Sequence, residues 1–330
     1  LHVADEVIQM VAEVRKAYFM VLGARQIRDL RNEIALAAGN SFELARRLHS
    51  AGNISDLELA TEKAHFEQSR MELARSETTL LDDREHLTRL MGLWGSQTNW
   101  HLPQQLPDIP SAEMPLEHVE SMAIENRLDL AAERKAVEAL AQALGITIDW
   151  RWVGQIEVGI SRERETDRTW VTGPSLAIEL PIFNQRLADI ARLAAKLRRS
   201  LNRLTAQAID IRSEVRSLRN RLIMQRNMID HYRHTVLPLR EQIVDLTLKN
   251  YNYMLTGAFD LIMAKQQEFE AYQKYLEAIR DYWILRADMQ RSLGGSLPVH
   301  TQSEHSIRSE TATEDKMKKQ DVRAHIKQAK

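Results

Sequence analysis

The chain has 330 residues, 28% of them charged, with 45 Lys and Arg against 46 Asp and Glu, and a net charge of −1 gives no electrostatic basis for binding nucleic acid. The absence of Cys excludes disulfides, thiolate metal sites and a Cys nucleophile. No run reaches the ~18 apolar residues of a membrane-spanning helix, and only 12 Gly and 8 Pro leave few obligatory turns, so long uninterrupted elements are expected.

Residues 3–92 are rich in Ala, Leu, Glu and Arg, all strong helix formers. One turn interrupts them at Ser50-Ala51-Gly52-Asn53-Ile54-Ser55-Asp56, where Ser and Asp are suited to cap a new helix over 55–91. Along that helix Leu59, Phe66, Leu73, Leu80 and Leu87 recur every seven residues, the signature of a coiled-coil seam. Residues 92–115, with four prolines, read as loop, and 116–145 as an Ala-rich helix ended by Gly145.

A β signal follows. Trp150, Trp152, Ile156, Val158 and Ile160 alternate with polar residues, the charged loop 162–168 intervenes, and Leu176, Ile178, Leu180 and Ile182 alternate again. The two strands read as one hairpin. A helix over 187–236 should be kinked by Pro238 and continue to about Met254. The turn Thr256-Gly257-Ala258-Phe259-Asp260 leads to a last helix ending at Gly294-Gly295, and the polar tail 297–330 is expected to be disordered.

Helix–turn–helix thus occurs twice, and an internal repeat of this length points to a duplicated structural unit. Matching Leu59, Phe66, Leu73, Leu80, Leu90 and Gly92 to Ile262, Phe269, Leu276, Trp283, Leu293 and Gly295 gives an offset of 203, with Leu87 facing Gln290 as the one mismatch. Matching Gly52 to Gly257 predicts a second turn two residues shorter than the first.

Three stretches carry a resemblance to the TolC-like outer-membrane efflux proteins. They are Ala51-Gly52-Asn53-Ile54-Ser55-Asp56-Leu57 through Leu90-Met91-Gly92, then Gly173-Pro174-Ser175 through Leu180-Pro181-Ile182-Phe183-Asn184, and Val236-Leu237-Pro238 through Gly257, Tyr282 and Leu293-Gly294-Gly295. Arg127-Leu128-Asp129-Leu130 adds a fourth motif, with Leu128 where the family usually has Pro. The resemblance implies a mainly α fold: long antiparallel helical hairpins forming a trimeric α-barrel, with a β-hairpin contributing to an outer-membrane β-barrel. It implies a homotrimer in the outer membrane of a Gram-negative bacterium, with a large periplasmic portion. Its partners would be outer-membrane lipid, a periplasmic adaptor (membrane fusion) protein and an inner-membrane RND-type pump, with no cofactor. The family has a β-hairpin in each repeat, so the expectation is that a segment preceding Val3 is absent from this chain. The expected organisation is a first helical hairpin over 1–95, a linker and equatorial helix over 96–149, the membrane hairpin over 150–184, the second helical hairpin over 185–296, and the tail.

By the residues alone the β-hairpin suits a soluble sheet and a membrane barrel equally; the resemblance implies the barrel. Trp150, Trp152, Trp170 and Phe183 would then form the interfacial girdle, with Glu157 and Glu179 facing the lumen. Both helical turns would lie at the periplasmic tip, where Gly52, Asn53, Ser55, Asp56, Thr256, Gly257 and Asp260 would dock the adaptor and control opening. Ser55, Asp56 and Asp260 also read simply as helix caps. Met224, Met228 and His231 share a helical face with His234 a turn further on; they are read as core packing in preference to a soft-metal site. No nucleophile–base arrangement, HExxH helix or phosphate loop is present, and Gly173-Pro174-Ser175 lacks the second Gly of a nucleophile elbow, so the chain is not read as an enzyme. The expected function is the passive duct of a tripartite exporter, with the heavy-metal branch favoured by the motifs around Leu180, Pro238 and Tyr282. The rival readings are a soluble coiled-coil scaffold, a type I secretion duct and a periplasmic adaptor.

Overall fold

The computed structural model describes residues 1–110, 116–151, 156–164, 166, 168, 170–178 and 186–295. In chain order they form α1 (His2–Ser50), α2 (Asp56–Leu90), a short 3-10 turn (Gly95–Thr98), α3 (Val119–Asn126), α4 (Leu128–Asp149), β1 (Ile156–Arg164), β2 (Trp170–Ile178), α5 (Leu187–His231), a π-turn (Tyr232–Val236), α6 (Leu237–Asn252) and α7 (Ala258–Ser292). The chain divides into two compact units. One holds Leu1–Glu6 with Glu120–Glu214, the other Val7–Val119 with the chain from Val215.

In the second unit, α2 turns one stripe inward. Leu59, Glu62, Phe66, Ser69, Leu73, Ser76, Leu80, Asp83, Leu87 and Leu90, spaced alternately by three and four, are all at least partly covered, and most of the remaining helix is exposed. The seam is therefore present as expected, but its alternate positions are polar as far as Asp83. Buried Glu62 accepts a 2.5 Å hydrogen bond from the Ser41 hydroxyl of α1, which replaces the hydration that burial removes.

The buried face of α1 is built from small residues, including Ala12, Ala17, Gly23, Ala24, Ala38, Ser41 and Ala45. That choice lets its neighbours lie close. A Cβ at Gly23 would meet the Arg280 side chain of α7 at 2.8 Å, and one at Gly39 would meet the Phe66 ring of α2 at 3.2 Å. Antiparallel pairing follows from the contacts: Phe42 stacks on Phe66 and Arg31 pairs with Glu72 between α1 and α2, while Arg240 meets Gln267 and Arg233 meets Tyr275 in the second hairpin.

A strap after α2 ties the helices together at the end away from the turns. Arg84 lies 4.1 Å over the Trp100 ring and donates to its carbonyl, and the Trp100 indole N–H donates to Thr88. Further along, Arg25 donates to the Leu102 carbonyl, Gln26 accepts from Leu106 N–H, Trp283 donates to the Pro107 carbonyl and Arg226 to that of Pro110. Prolines cannot pair as a strand, so side chains of four helices supply the partners that the strap carbonyls require. Leu106 inserts into the core of Leu22, Leu222, Ile229 and Tyr282.

The two hairpins repeat, with a correction to the register. Helices α2 and α7 are both 35 residues long. Their N-caps, Ser55 and Gly257, and their C-caps, Met91 and Leu293, are each 202 apart. The left-handed glycines Gly92 and Gly294 share that spacing. The offset is thus 202, not 203, and Leu87 corresponds to Met289, which like it is fully buried. The expected mismatch with Gln290 disappears, and the two turns are equal in length.

Pro238, expected to kink its helix, is accommodated by a specific local route. It has no N–H, and its ring crowds the carbonyl four residues earlier; the chain passes that point through the π-turn before α6 begins. In the first unit the single helix expected over 116–145 is two helices. Arg127 adopts an extended backbone (φ −69°, ψ 124°) between them, and α4 continues through Gly145 to Asp149. Leu128 is the first residue of α4, a position that favours Pro because its N–H has no intrahelical partner. Arg127 holds the break by forking onto Asp129 (2.8 and 3.1 Å) and reaching Glu214 of α5 at 2.8 Å, while Gln207 and the Leu130 N–H also donate to Asp129.

Candidate functional site

The residues proposed from the sequence at the first turn come together around the end of α1. Gly52 sits at φ 76°, and the N–H groups of Gly52 and Asn53 bond the carbonyls of His49 and Leu48. This closes the helix with a left-handed residue and two reversed bonds. Ser55 caps α2 through a reciprocal box: its hydroxyl accepts from Glu58 N–H, and Glu58 accepts from Ser55 N–H at 2.8 Å. The Ser55 N–H first, and then the Ser55 hydroxyl, which also donates to the carboxylate at 3.0 Å, hold the Glu58 carboxyl below its usual range. Asp56 is the first helical residue instead of a cap, and its carboxylate meets His49 Nε2 at 2.7 Å.

The second turn has the same backbone with different residues. Met254 holds the left-handed position at φ 60°, and Leu255 and Met254 N–H groups bond Asn250 and Tyr251. Gly257 is the N-cap of α7, and its N–H donates to Asp260, which therefore takes the place of Glu58. Thr256 is partly covered, its hydroxyl buried without a hydrogen-bond partner among the described residues.

Around the turns the surface is apolar. Leu57, Tyr253, Met254 and Leu255 are each more than 70% exposed. Between the first turns of α2 and α7 lies a groove of about 240 Å³, lined by Leu57, Glu58, Thr61, Glu62, His65, Phe259, Ile262, Met263 and Gln266. Sequence reasoning missed Glu58, Met254 and the groove. The Ser55-x-x-Glu58 spacing of a capping box was the available signal for Glu58, but only the pairing of the two hairpins shows which residues share a surface.

The hairpin pairs β1 with β2 antiparallel, from Ile156 opposite Ile178 to Arg164 opposite Trp170. β1 therefore runs into the segment expected as a loop, and Arg162 and Arg164 are strand residues. Alternation places Val158, Ile160, Leu176 and Trp170 on one face and Glu157, Gly159, Ser161 and Ser175 on the other. Trp150 is exposed at the C-cap of α4, off the strand. Trp152, Glu179 and Phe183 lie outside the described residues, as does the tail.

Met224 and Met228 are not core. They are 64% and 49% exposed, and His231 is exposed with them on the face of α5 opposite Leu222 and Ile229. The core needs only one stripe of that helix, and these residues fall outside it. Among the described residues no group of His, Asp and Glu is placed to hold a metal, and no helix is long and apolar enough to cross a membrane.

Two helical hairpins in tandem along the chain, separated by a strand pair, define a mainly α fold with one β-hairpin. The outer membrane efflux protein family matches residues 2–93. The cobalt-zinc-cadmium resistance protein CzcC of Cupriavidus metallidurans is 22% identical over 289 residues, which is 86% of this chain and 67% of that protein. Among solved structures, a membrane protein from Pseudomonas aeruginosa aligns with a TM-score of 0.76 at 20% identity, covering 89% of this chain and 68% of its own. The CmeC outer membrane channel of Campylobacter jejuni aligns with a TM-score of 0.74 at 12% identity, covering 93% and 67%. The family model covers residues 2–93 and the other similarities lie at 22% identity or below, so together they show the fold: long helices with one β-hairpin, as in solved outer membrane channels.

Proposed function

We propose that this channel is the passive exit duct for heavy-metal cations, working as a homotrimer with a periplasmic adaptor and an inner-membrane RND-type pump. The observation that carries the cation reading is the similarity to a cobalt-zinc-cadmium resistance protein along 86% of the chain. The duct does no chemistry on its cargo; the pump selects it. The β-hairpin is a sector of the barrel, its Val158–Ile160–Leu176 face toward lipid and Glu157 toward the lumen, with Trp170 in the interfacial belt. Trp150, at the end of α4, belongs to the periplasmic edge of that belt.

The adaptor docks at the two turns. Support comes from the apolar groove between α2 and α7 and from the exposed Met254 and Leu255 beside it. A helical hairpin lays its apolar stripe into such a groove. Gly52, Asn53, Ser55, Asp56, Thr256, Gly257 and Asp260 set the turn geometry that the adaptor reads.

The experiment is complementation. In a strain lacking this duct, the chain's gene should restore tolerance to cobalt, zinc and cadmium and lower their cellular content, without changing tolerance to drugs. Restored drug or peptide export with no metal effect would overturn the cation reading. Ion conductance by the purified trimer in planar bilayers tests the duct itself.

A further inference from the structure

We propose that Arg162, Arg164 and Trp170 form a binding site for the phosphate-bearing headgroups of outer-leaflet lipid. The site rests on the reading of the hairpin as a barrel sector. The strand register places Arg162 and Arg164 on the same face as Val158 and Ile160, which are 80% and 81% exposed. That face is aliphatic near the helices and ends, at the turn, in Trp170 with both guanidinium groups over its ring, Arg162 at 4.7 Å and Arg164 at 5.7 Å from the centroid.

The level of the site follows from connectivity. Helices α4 and α5 join the hairpin at its Ile156–Ile178 end, so the Arg164–Trp170 end is the one away from the helices. With the helices in the periplasm, that end lies at the outer leaflet. Arg162 and Arg164 stand two and four residues beyond Ile160, about 7 and 13 Å along the strand. A guanidinium on the lipid face is destabilising within the hydrocarbon and far less so near the interface, which fixes this pair at headgroup level.

Charge then selects the ligand. Two cations two residues apart on one face repel each other, and the face carries no Asp or Glu from Ile156 to Arg164 or from Trp170 to Ile178. A single guanidinium would suffice to stack on the indole; the second calls for an anion. Guanidinium groups gathered beside one aromatic ring keep N–H donors free for an anion, and phosphate accepts such forks in bidentate pairs. The adjoining aliphatic face receives the acyl chains of the same molecule, which a free phosphate ion lacks.

The test uses channel purified from outer membranes, wild type and R162Q/R164Q, titrated by native mass spectrometry with diphosphorylated lipid A, with its dephosphorylated form and with inorganic phosphate. R162K/R164K keeps the charge and loses the fork, and E163Q on the opposite face controls for general effects on the hairpin. Diphosphorylated lipid A should bind wild type and E163Q about tenfold or more tightly than R162Q/R164Q. R162K/R164K should fall between, and millimolar phosphate should not compete. Equal binding by wild type and R162Q/R164Q, or no preference for the phosphorylated lipid, would overturn the lipid site alone. Competition by inorganic phosphate would replace it with a simple anion site. Failure of the wild-type protein to insert into bilayers would instead overturn the barrel reading, and the site with it.

Discussion

Met254 occupies in the second turn the place that Gly52 occupies in the first: the two residues lie 202 apart, at φ 60° and 76°, each three residues before the cap of the next helix. Glycine adopts this backbone freely, whereas any other residue is strained in it. Met254 is also 93% exposed, so the strain is not offset by burial in this chain. An exposed thioether in a glycine position is what a docking surface needs and what the fold does not.

Met254→Gly should therefore stabilise the turn by about 1 kcal/mol, slowing hydrogen exchange in the first turn of α7 about fivefold. Gly52→Ala should do the opposite at the first turn. If Met254 serves docking, M254G should also weaken metal tolerance in the complementation assay. Unchanged export by the stabilised variant would remove Met254 from the docking surface.

Arg127 holds the α3–α4 break through two carboxylates. Burial of Asp129 by itself would raise its pKa; the Arg127 guanidinium, the Leu130 N–H and Gln207 outweigh it and hold the carboxyl low. A depressed carboxylate contributes stability that is complete above its unfolded value, near 3.9, and is lost as pH falls through the folded value. Arg127→Ala should lower the stability of the α4 region by roughly 2–3 kcal/mol, less than for a fully buried pair. Denaturant titration should show this loss at neutral pH, shrinking below pH 4.

Tyr272 donates to Glu241 at 2.7 Å, and that bond, with burial and neighbouring negative charge, pushes its pKa up to about 12. Tyr272 should ionise late in an absorbance titration, and Tyr272→Phe should remove one tyrosine's worth of the late absorbance change. The sign is set by the raised value: the contribution to stability is complete below pH 10 and is lost as pH rises through 12.

Asp83 lies in the α2 seam, where burial raises its pKa and Arg280 only partly opposes the shift. A raised carboxylate makes stability fall as pH climbs from the unfolded value to the folded one. Asp83→Asn should consequently stabilise the α1–α2–α7 packing at neutral pH and remove the fall in stability that begins above the ordinary carboxylate value. A loss of stability in thermal melts at pH 7 would show that the attraction to Arg280 outweighs burial.

Local chemistry was legible in the sequence. The helices on either side of Gly52, the Leu59–Leu87 seam, the interruption of the α-helix just before Pro238 and the alternation of Val158 and Ile160 all arise from interactions within a few residues, and each lies close to where periodicity and punctuation put it. These features were enough for the fold class. Register was not legible. Matching residues by type paired Gly52 with Gly257 and Leu87 with Gln290, because similar side chains were taken as equivalent positions; backbone geometry pairs Gly52 with Met254 and Leu87 with Met289. The burial of Glu62 against Ser41, the strap held by Arg84 and Trp283, and the outward turn of Met224 and Met228 depend on partners far away in the chain. The same holds for Arg162 and Arg164, whose charged run looks like a loop until the pairing of β1 with β2 brings them over Trp170. Helix ends and periods are decided by short-range bonds that a sequence displays directly; the neighbours of a side chain across a seam are decided by packing, which a sequence does not display.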